Sequence, residues 1–127
     1  MAGAQVSLAP YILFVNVSKF ISVSFSEYCD YEMFQGQCGS HELMQVIYSE
    51  YGHMDIGKCV KVDIGYFGCK ADVTGILGAR CNMHHKCEMD TRDKQLRQTN
   101  PCSSGVVVYL EVTFACVKVV KFPNTKK

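Results

Sequence analysis

Residues 81–87 read CNMHHKC, two thiols six positions apart that enclose two histidines and a lysine. These are zinc-ligand types, and they are equally the two ends of a small disulfide loop. A zinc site built from a local pair wants CxxC spacing, because a tight turn must carry two thiolates to one tetrahedral ion. The sequence has no CxxC, and its other gaps between successive cysteines run from nine to twenty-one residues. His84 and His85 are adjacent, so in most local structures they point apart. The spacing therefore favours a Cys81–Cys87 disulfide loop carrying its histidines as loop residues. Eight cysteines in 127 residues is far above cytosolic usage, and the even number suits a four-disulfide domain of an oxidising, extracellular compartment.

The same count argues against catalysis, since a nucleophilic cysteine would need an unpaired thiol. There is no GxSxG and no glycine-rich loop between a strand and a helix. The carboxylate pairs Asp30/Glu32 and Glu88/Asp90 are ordinary for an exposed surface. A non-catalytic binding domain is expected, with no metal and no cofactor. A formal charge of +1 gives no general case for nucleic acid or a membrane surface as partner. The basic cluster Lys118, Lys121, Lys126 and Lys127 reads as a solvated tail.

These residues need a scaffold, and the length suits one domain with a modest core. Residues 1–19 form a leader with two open readings. Leu8–Val15 (LAPYILFV) has the length of a signal-peptide core, with Ser22 and Ser24 as small residues near a cleavage point. Against this, Met1–Gln5 carries no positive charge, and Asn16 and Lys19 interrupt the apolar stretch. The other reading is an extra strand over Tyr11–Val17. Asn16-Val17-Ser18 is a glycosylation sequon. No run reaches transmembrane length. Residues 20–120 make the domain and 121–127 a basic flexible tail.

Within the domain, Phe20–Cys29 (FISVSFSEYC) alternates, with Ile21, Val23, Phe25 and Cys29 on one parity. It predicts a half-buried strand with those residues inward. Leu43–Tyr51 predicts a second strand, ended by Gly52, and Val60–Phe67 a short strand or loop. Asp72–Arg80 suggests a short helix capped by Asp72, with Val73, Ile76, Leu77 and Arg80 at helical spacing. Asp90–Thr99 is polar, a second short helix or an exposed loop. Val106–Val120, rich in β-branched and aromatic residues, is the strongest strand signal. The sum is an α+β domain: antiparallel sheets, one or two short helices and a disulfide framework.

Two motifs look built for binding. Tyr51-Gly52 ends a strand where glycine permits a sharp turn. In Asn100-Pro101-Cys102 the proline stiffens the chain and the cysteine pins it, so the Asn100 side chain is presented on a fixed loop. Pre-ordered polar groups suit a sugar, which offers hydroxyls and little apolar area. The plainer reading of NPC is a turn feeding a strand.

In order along the chain, Cys29 and Cys38 are nine apart, followed by SEYGHM (49–54), RCNMHHKC (80–87), TNPC (99–102) and GVVVYLEVTFAC (105–116). This series resembles the rhamnose-binding lectin domain, also called the galactose-binding or sea-urchin-egg lectin domain. The module also occurs in latrophilins and at the C-terminus of plant β-galactosidases. The resemblance covers about Phe20 to Val120. It implies a β-sandwich-like domain with four disulfides, Cys29–Cys59, Cys38–Cys116, Cys69–Cys102 and Cys81–Cys87. It also implies calcium-independent binding of L-rhamnose or D-galactose near the YG and NPC segments.

Carried across by motif, the implied sugar-binding residues are Asp30, Glu50, Tyr51, Gly52, His53 and Asn100. Tyr51 and Gly52 match the family pattern. Asp30 stands for a glutamate, Glu50 for an asparagine, His53 for an arginine and Asn100 for an aspartate. Val108 stands where the family has a lysine, and valine cannot donate a hydrogen bond. A histidine at position 53 suggests binding that varies with pH near neutrality. The expected function is carbohydrate binding by a secreted lectin-like domain, with a carbohydrate or glycoprotein as partner. The alternatives are a protein-interaction module that docks a cell-surface protein, and the sugar-binding appendage of a glycosidase.

Overall fold

The computed structural model describes residues 21–119, apart from 64 and 66. The leader or extra strand over 1–19, its sequon and the basic tail 121–127 lie outside the described residues. The elements in order are β1 (Ile21–Tyr28), β2 (Met33–Gln37), β3 (Glu42–His53), β4 (Cys69–Asp72), α1 (Thr74–Cys81), β5 (Lys86–Asp90), α2 (Lys94–Thr99) and β6 (Tyr109–Lys118). The strands form an antiparallel four-stranded sheet, β1-β6-β3-β4, and a two-stranded sheet, β2-β5. The helices have eight and six residues, so the domain is mostly sheet and α+β describes it only loosely.

β6 carries the core. Leu110, Val112, Phe114 and Cys116 lie on one face and are all buried. Met44 and Val46 of β3 join them, opposite Cys116 and Phe114. The register of β3 then shifts between Val46 and Tyr48, leaving both Ile47 and Tyr48 exposed. Such a bulge moves the alternation by one residue. Beyond it Ser49 and Tyr51 point inward, opposite Val112 and Leu110, and Glu50 points outward. The strand does not end at Gly52 but runs to His53.

β1 forms where expected, but its faces are reversed. Ser22, Ser24, Ser26 and Tyr28 pair with Cys116, Phe114, Val112 and Leu110, on the core side. Ile21, Val23 and Phe25 lie on the other face and are 38, 59 and 59% exposed. The alternation in ISVSF is genuine, but the side that becomes core is decided by β6, whose larger apolar face packs against the β2-β5 sheet. Phe34 of β2 meets Tyr28 and Phe114 edge-on, at ring-centroid distances of 5.4 and 5.8 Å.

All four disulfides implied by the resemblance are present, and no cysteine is free among the described residues. Cys38–Cys116 ties β2 to β6, and Cys81–Cys87 closes the short loop between α1 and β5. His84 and His85 are exposed on that loop, and the ring of His85 contacts the Glu42 carbonyl at 2.7 Å. Val73, not Asp72, occupies the cap position of α1, although the Asp72 carboxylate accepts from the Thr74 amide at 2.9 Å. Asp93 caps α2 by accepting from the Gln95 amide. The described part of the expected Val60–Phe67 strand is irregular. No helix among the described residues is long and apolar enough to cross a membrane.

Candidate sugar-binding site

Asp30 sits in the tight turn between β1 and β2. The turn needs a left-handed residue, and Tyr31 supplies it at φ 73°. The Glu32 amide donates to the Cys29 carbonyl at 2.9 Å, and the Cys29 amide donates to the Glu32 carboxylate at 2.7 Å. Lys58 pairs with the same carboxylate at 3.0 Å. The lysine first, and the Cys29 amide second, hold the Glu32 carboxyl below its usual range. The Cys29–Cys59 bond pins the turn from the other side. Asp30 is therefore presented by a rigid corner.

The residue that meets it comes from α2. Leu96 is that helix's buried anchor and sets its roll, leaving Arg97 half-buried at the rim. The Arg97 guanidinium reaches the Asp30 carboxylate at 2.5 Å, with both side chains about one-third exposed (33 and 32%). Tyr51 comes from β3 beneath them and is fully buried. Its hydroxyl lies 3.5 Å from the Thr91 carbonyl, at the long limit for a hydrogen bond. Burial raises the Tyr51 phenol pKa, and the nearby Arg97 partly offsets that rise. Thr91, itself buried, donates its hydroxyl and its amide to the Glu32 carbonyl, which locks the two turns together.

Beside this trio, Arg92 grips Asp90 with two bonds of 3.1 and 3.0 Å and holds its carboxyl low. The Arg92 guanidinium lies 5.1 Å from the centre of the Tyr31 ring, which is 73% exposed. An acceptor, two guanidinium donors and an open aromatic face thus share one surface. That combination can bind a sugar. Vicinal hydroxyls can bridge a carboxylate and a guanidinium, each charged hydrogen bond contributing about 1.5–3 kcal/mol. An aromatic face can cover the C–H side of the ring.

The other expected site residues are dispersed around this trio. Strand alternation sends Glu50 to the outer face, where its carboxylate binds the Tyr48 hydroxyl and Lys70 at 2.5 and 3.0 Å. Gly52 is required by close packing. Its φ is 153°, and a Cβ there would lie 2.2 Å from the Cys69 carbonyl oxygen of β4. His53 faces inward and is 1% exposed. Its Nδ1 lies 2.6 Å from the Val107 carbonyl, its ring stacks on Phe67 at 5.0 Å, and its Nε2 has no partner among the described residues. Asn100 ends α2, and its side-chain oxygen accepts from the Cys102 amide at 2.9 Å. That bond fixes the NPC turn, alongside the Cys69–Cys102 disulfide. Val108 is buried in the core, so the cation beside Asp30 is Arg97.

Arg97, Arg92 and Tyr31 were not singled out from the sequence. Their one local signal is that Leu96 is the only strongly apolar residue in DKQLRQT, which places its neighbour Arg97 at the rim. Two groups of potential metal ligands occur among the described residues, Cys29/Glu32/Cys59 and Cys38/Glu42/Cys116. In both the two cysteines are bonded to each other, which removes the thiolates that zinc would require.

Residues 36–116, more than half of the chain, match the family model described as the D-galactoside/L-rhamnose binding SUEL lectin domain. Tyr51, Arg97 and Asn100 lie inside the matched stretch, and Asp30 precedes it. No curated protein matches the chain. The family is a binding module for sugars of the galactose and rhamnose type. The match covers more than half of the chain and agrees with its four disulfides and antiparallel sheets: the chain belongs to the SUEL lectin domain family.

Proposed function

We propose that this domain binds a galactose- or rhamnose-type sugar, without catalysis and without calcium, at the corner formed by Asp30, Arg97 and Tyr51. The observation that carries the reading is the Asp30–Arg97 pair, each side chain about one-third exposed, held over a buried tyrosine. A fully exposed pair would be solvated and mobile. This one is fixed by a disulfide-pinned turn on one side and a capped helix on the other, so little ordering is needed when a hydroxyl arrives. Asn100 and the Tyr31 ring border the site in this reading. Glu50, Gly52 and His53 contribute by shaping β3 rather than by touching sugar. The domain acts outside the cell, where four disulfides persist. Its partner is a glycan on a glycoprotein or a cell surface.

Retention on immobilised galactose, with elution by free galactose or rhamnose, tests the proposal. Retention should survive a calcium chelator. Arg97→Met, which keeps the aliphatic stem, and Asp30→Asn should each weaken retention by about tenfold or more, the loss of one charged hydrogen bond. Unchanged retention in both folded variants would place the sugar elsewhere. No retention of the folded parent protein would remove the sugar-binding reading.

A further inference from the structure

Tyr31 is held in a backbone conformation that its side chain does not favour. The turn from β1 to β2 closes when the Glu32 amide reaches the Cys29 carbonyl, and it puts residue 31 at φ 73°. Glycine or asparagine meets that demand at little cost, whereas a bulky side chain there is an outlier. The ring gains no burial in return. At 73% it is the most exposed of the large apolar side chains among the described residues. Strain of this kind clusters where a side chain must meet a ligand.

The exposed ring is nevertheless held in place. Met33 pairs with Asp90 across β2 and β5, and Thr91 bonds to Glu32, so the turn at 29–32 faces the turn at 90–93. Arg92, in the second turn, lies 5.1 Å from the centre of the Tyr31 ring. Its guanidinium is itself fixed, because the Asp90 carboxylate accepts from Nε and a terminal nitrogen at 3.1 and 3.0 Å, and from the Arg92 amide at 2.7 Å. Arg92 thus backs one face of the ring, and the exposure of the side chain leaves the other face open. The charge of Asp30 acts on Arg92, and that of Arg97 on Asp90, so the ring and its support border the Asp30–Arg97 pair.

We infer, resting on the reading of the Asp30–Arg97 corner as the sugar site, that Tyr31 is its stacking platform and selects a galactose-type ring over the C4 epimer. An axial O4, as in D-galactose, leaves the C–H groups at C3, C4 and C5 together on one face, a patch that an aromatic ring can cover. An equatorial O4, as in D-glucose, turns the C4 hydrogen to the opposite face and breaks the patch. Hydrogen bonds to Asp30 and Arg97 can hold hydroxyls of either sugar. The ring adds contact area only where the patch is continuous.

Chemical-shift titrations of the full-length, oxidised protein with D-galactose and with D-glucose give the ratio of the two affinities. The parent protein should prefer galactose. Tyr31→Gly relieves the backbone and removes the ring, and it should weaken galactose binding several-fold more than glucose binding. Tyr31→Asn, which tolerates the same φ, should do likewise, either variant sufficing if the other fails to fold. Tyr31→Phe keeps the ring and should restore the parent's ratio. An unchanged ratio in a folded Tyr31→Gly or Tyr31→Asn, with binding still lost in Arg97→Met, would keep the sugar corner and overturn the platform. So would equal losses for the two sugars, or a parent that binds both alike. A folded parent that binds neither sugar would overturn the corner and the platform together.

Discussion

The two faces of the four-stranded sheet are built from similar residues and do different work. On the inner face, Tyr51, Leu110 and Val112 are buried against the β2-β5 sheet and α2. On the outer face, Val23 and Phe25 are more than half exposed, and four carboxylates line up across four strands. The difference lies in what packs on each side, not in the strands themselves. The inner face is stapled in place by Cys38–Cys116, and its top edge is where the Asp30–Arg97 pair is held. The outer face brings Glu27, Glu111, Glu50 and Asp72 side by side, and like charges directly opposite destabilise a sheet, an effect that Lys70 partly offsets at Glu50.

Substitutions on the two faces should separate them by size of effect. Replacing both Cys38 and Cys116 by serine opens a loop of 78 residues. The chain-entropy model puts the loss at about 4–5 kcal/mol, which denaturant unfolding would read as a large fall in midpoint. Tyr51→Ala empties a buried aromatic position and should cost about 3–5 kcal/mol. Neither loss should be matched on the outer face. Phe25→Ser, at a side chain 59% exposed, should cost about 1 kcal/mol or less. A loss equal to that of Tyr51→Ala would mean that the two faces are equally packed.

The smallest effect is the one that reads the carboxylate row. Burial raises the Glu111 carboxyl pKa, the Tyr109 hydroxyl partly offsets this, and Glu27, Glu50 and Asp55 push it further up. The native state therefore holds this proton more readily than the unfolded chain does. Its stability falls as pH rises from the ordinary carboxylate range through the raised native value. Glu111→Gln removes that loss while keeping an acceptor for Tyr109. The variant should be more stable than the parent at neutral pH by roughly 0.2–1 kcal/mol, and the difference should vanish below the ordinary carboxylate range. Thermal melts across that range would show it, and a variant less stable at neutral pH would contradict the account of the row.

Legibility in the sequence followed the range of each interaction. The alternation of β1 was readable because it is local. Which face it buries was not, because Leu110 and Val112, more than eighty residues away, decide it. The one-residue bulge at Ile47 left no mark in LMQVIYSEY, yet it turns Tyr51 inward and Glu50 outward. β2 and β5 were missed because MFQGQ and KCEMD are short and mix charge or glycine with their apolar residues. The disulfide pairing came from resemblance to a family, not from spacing. At the proposed site, Tyr51 came from the YG motif and Asp30 only from the family resemblance, while Arg97 came from neither. Its partnership with Asp30 spans 67 residues and exists only once α2 docks.

The central claim is that the corner at Asp30, Arg97 and Tyr51 holds the sugar. The most direct test is a chemical-shift titration of the labelled, oxidised protein with D-galactose and L-rhamnose. Saturable shifts centred on Asp30, Tyr31, Tyr51, Arg97 and Asn100, with the outer-face residues Val23 and Phe25 unmoved, are what the account predicts. Shifts confined to Glu50, Lys70 and the outer face, or none from a folded sample at tens of millimolar sugar, would contradict it.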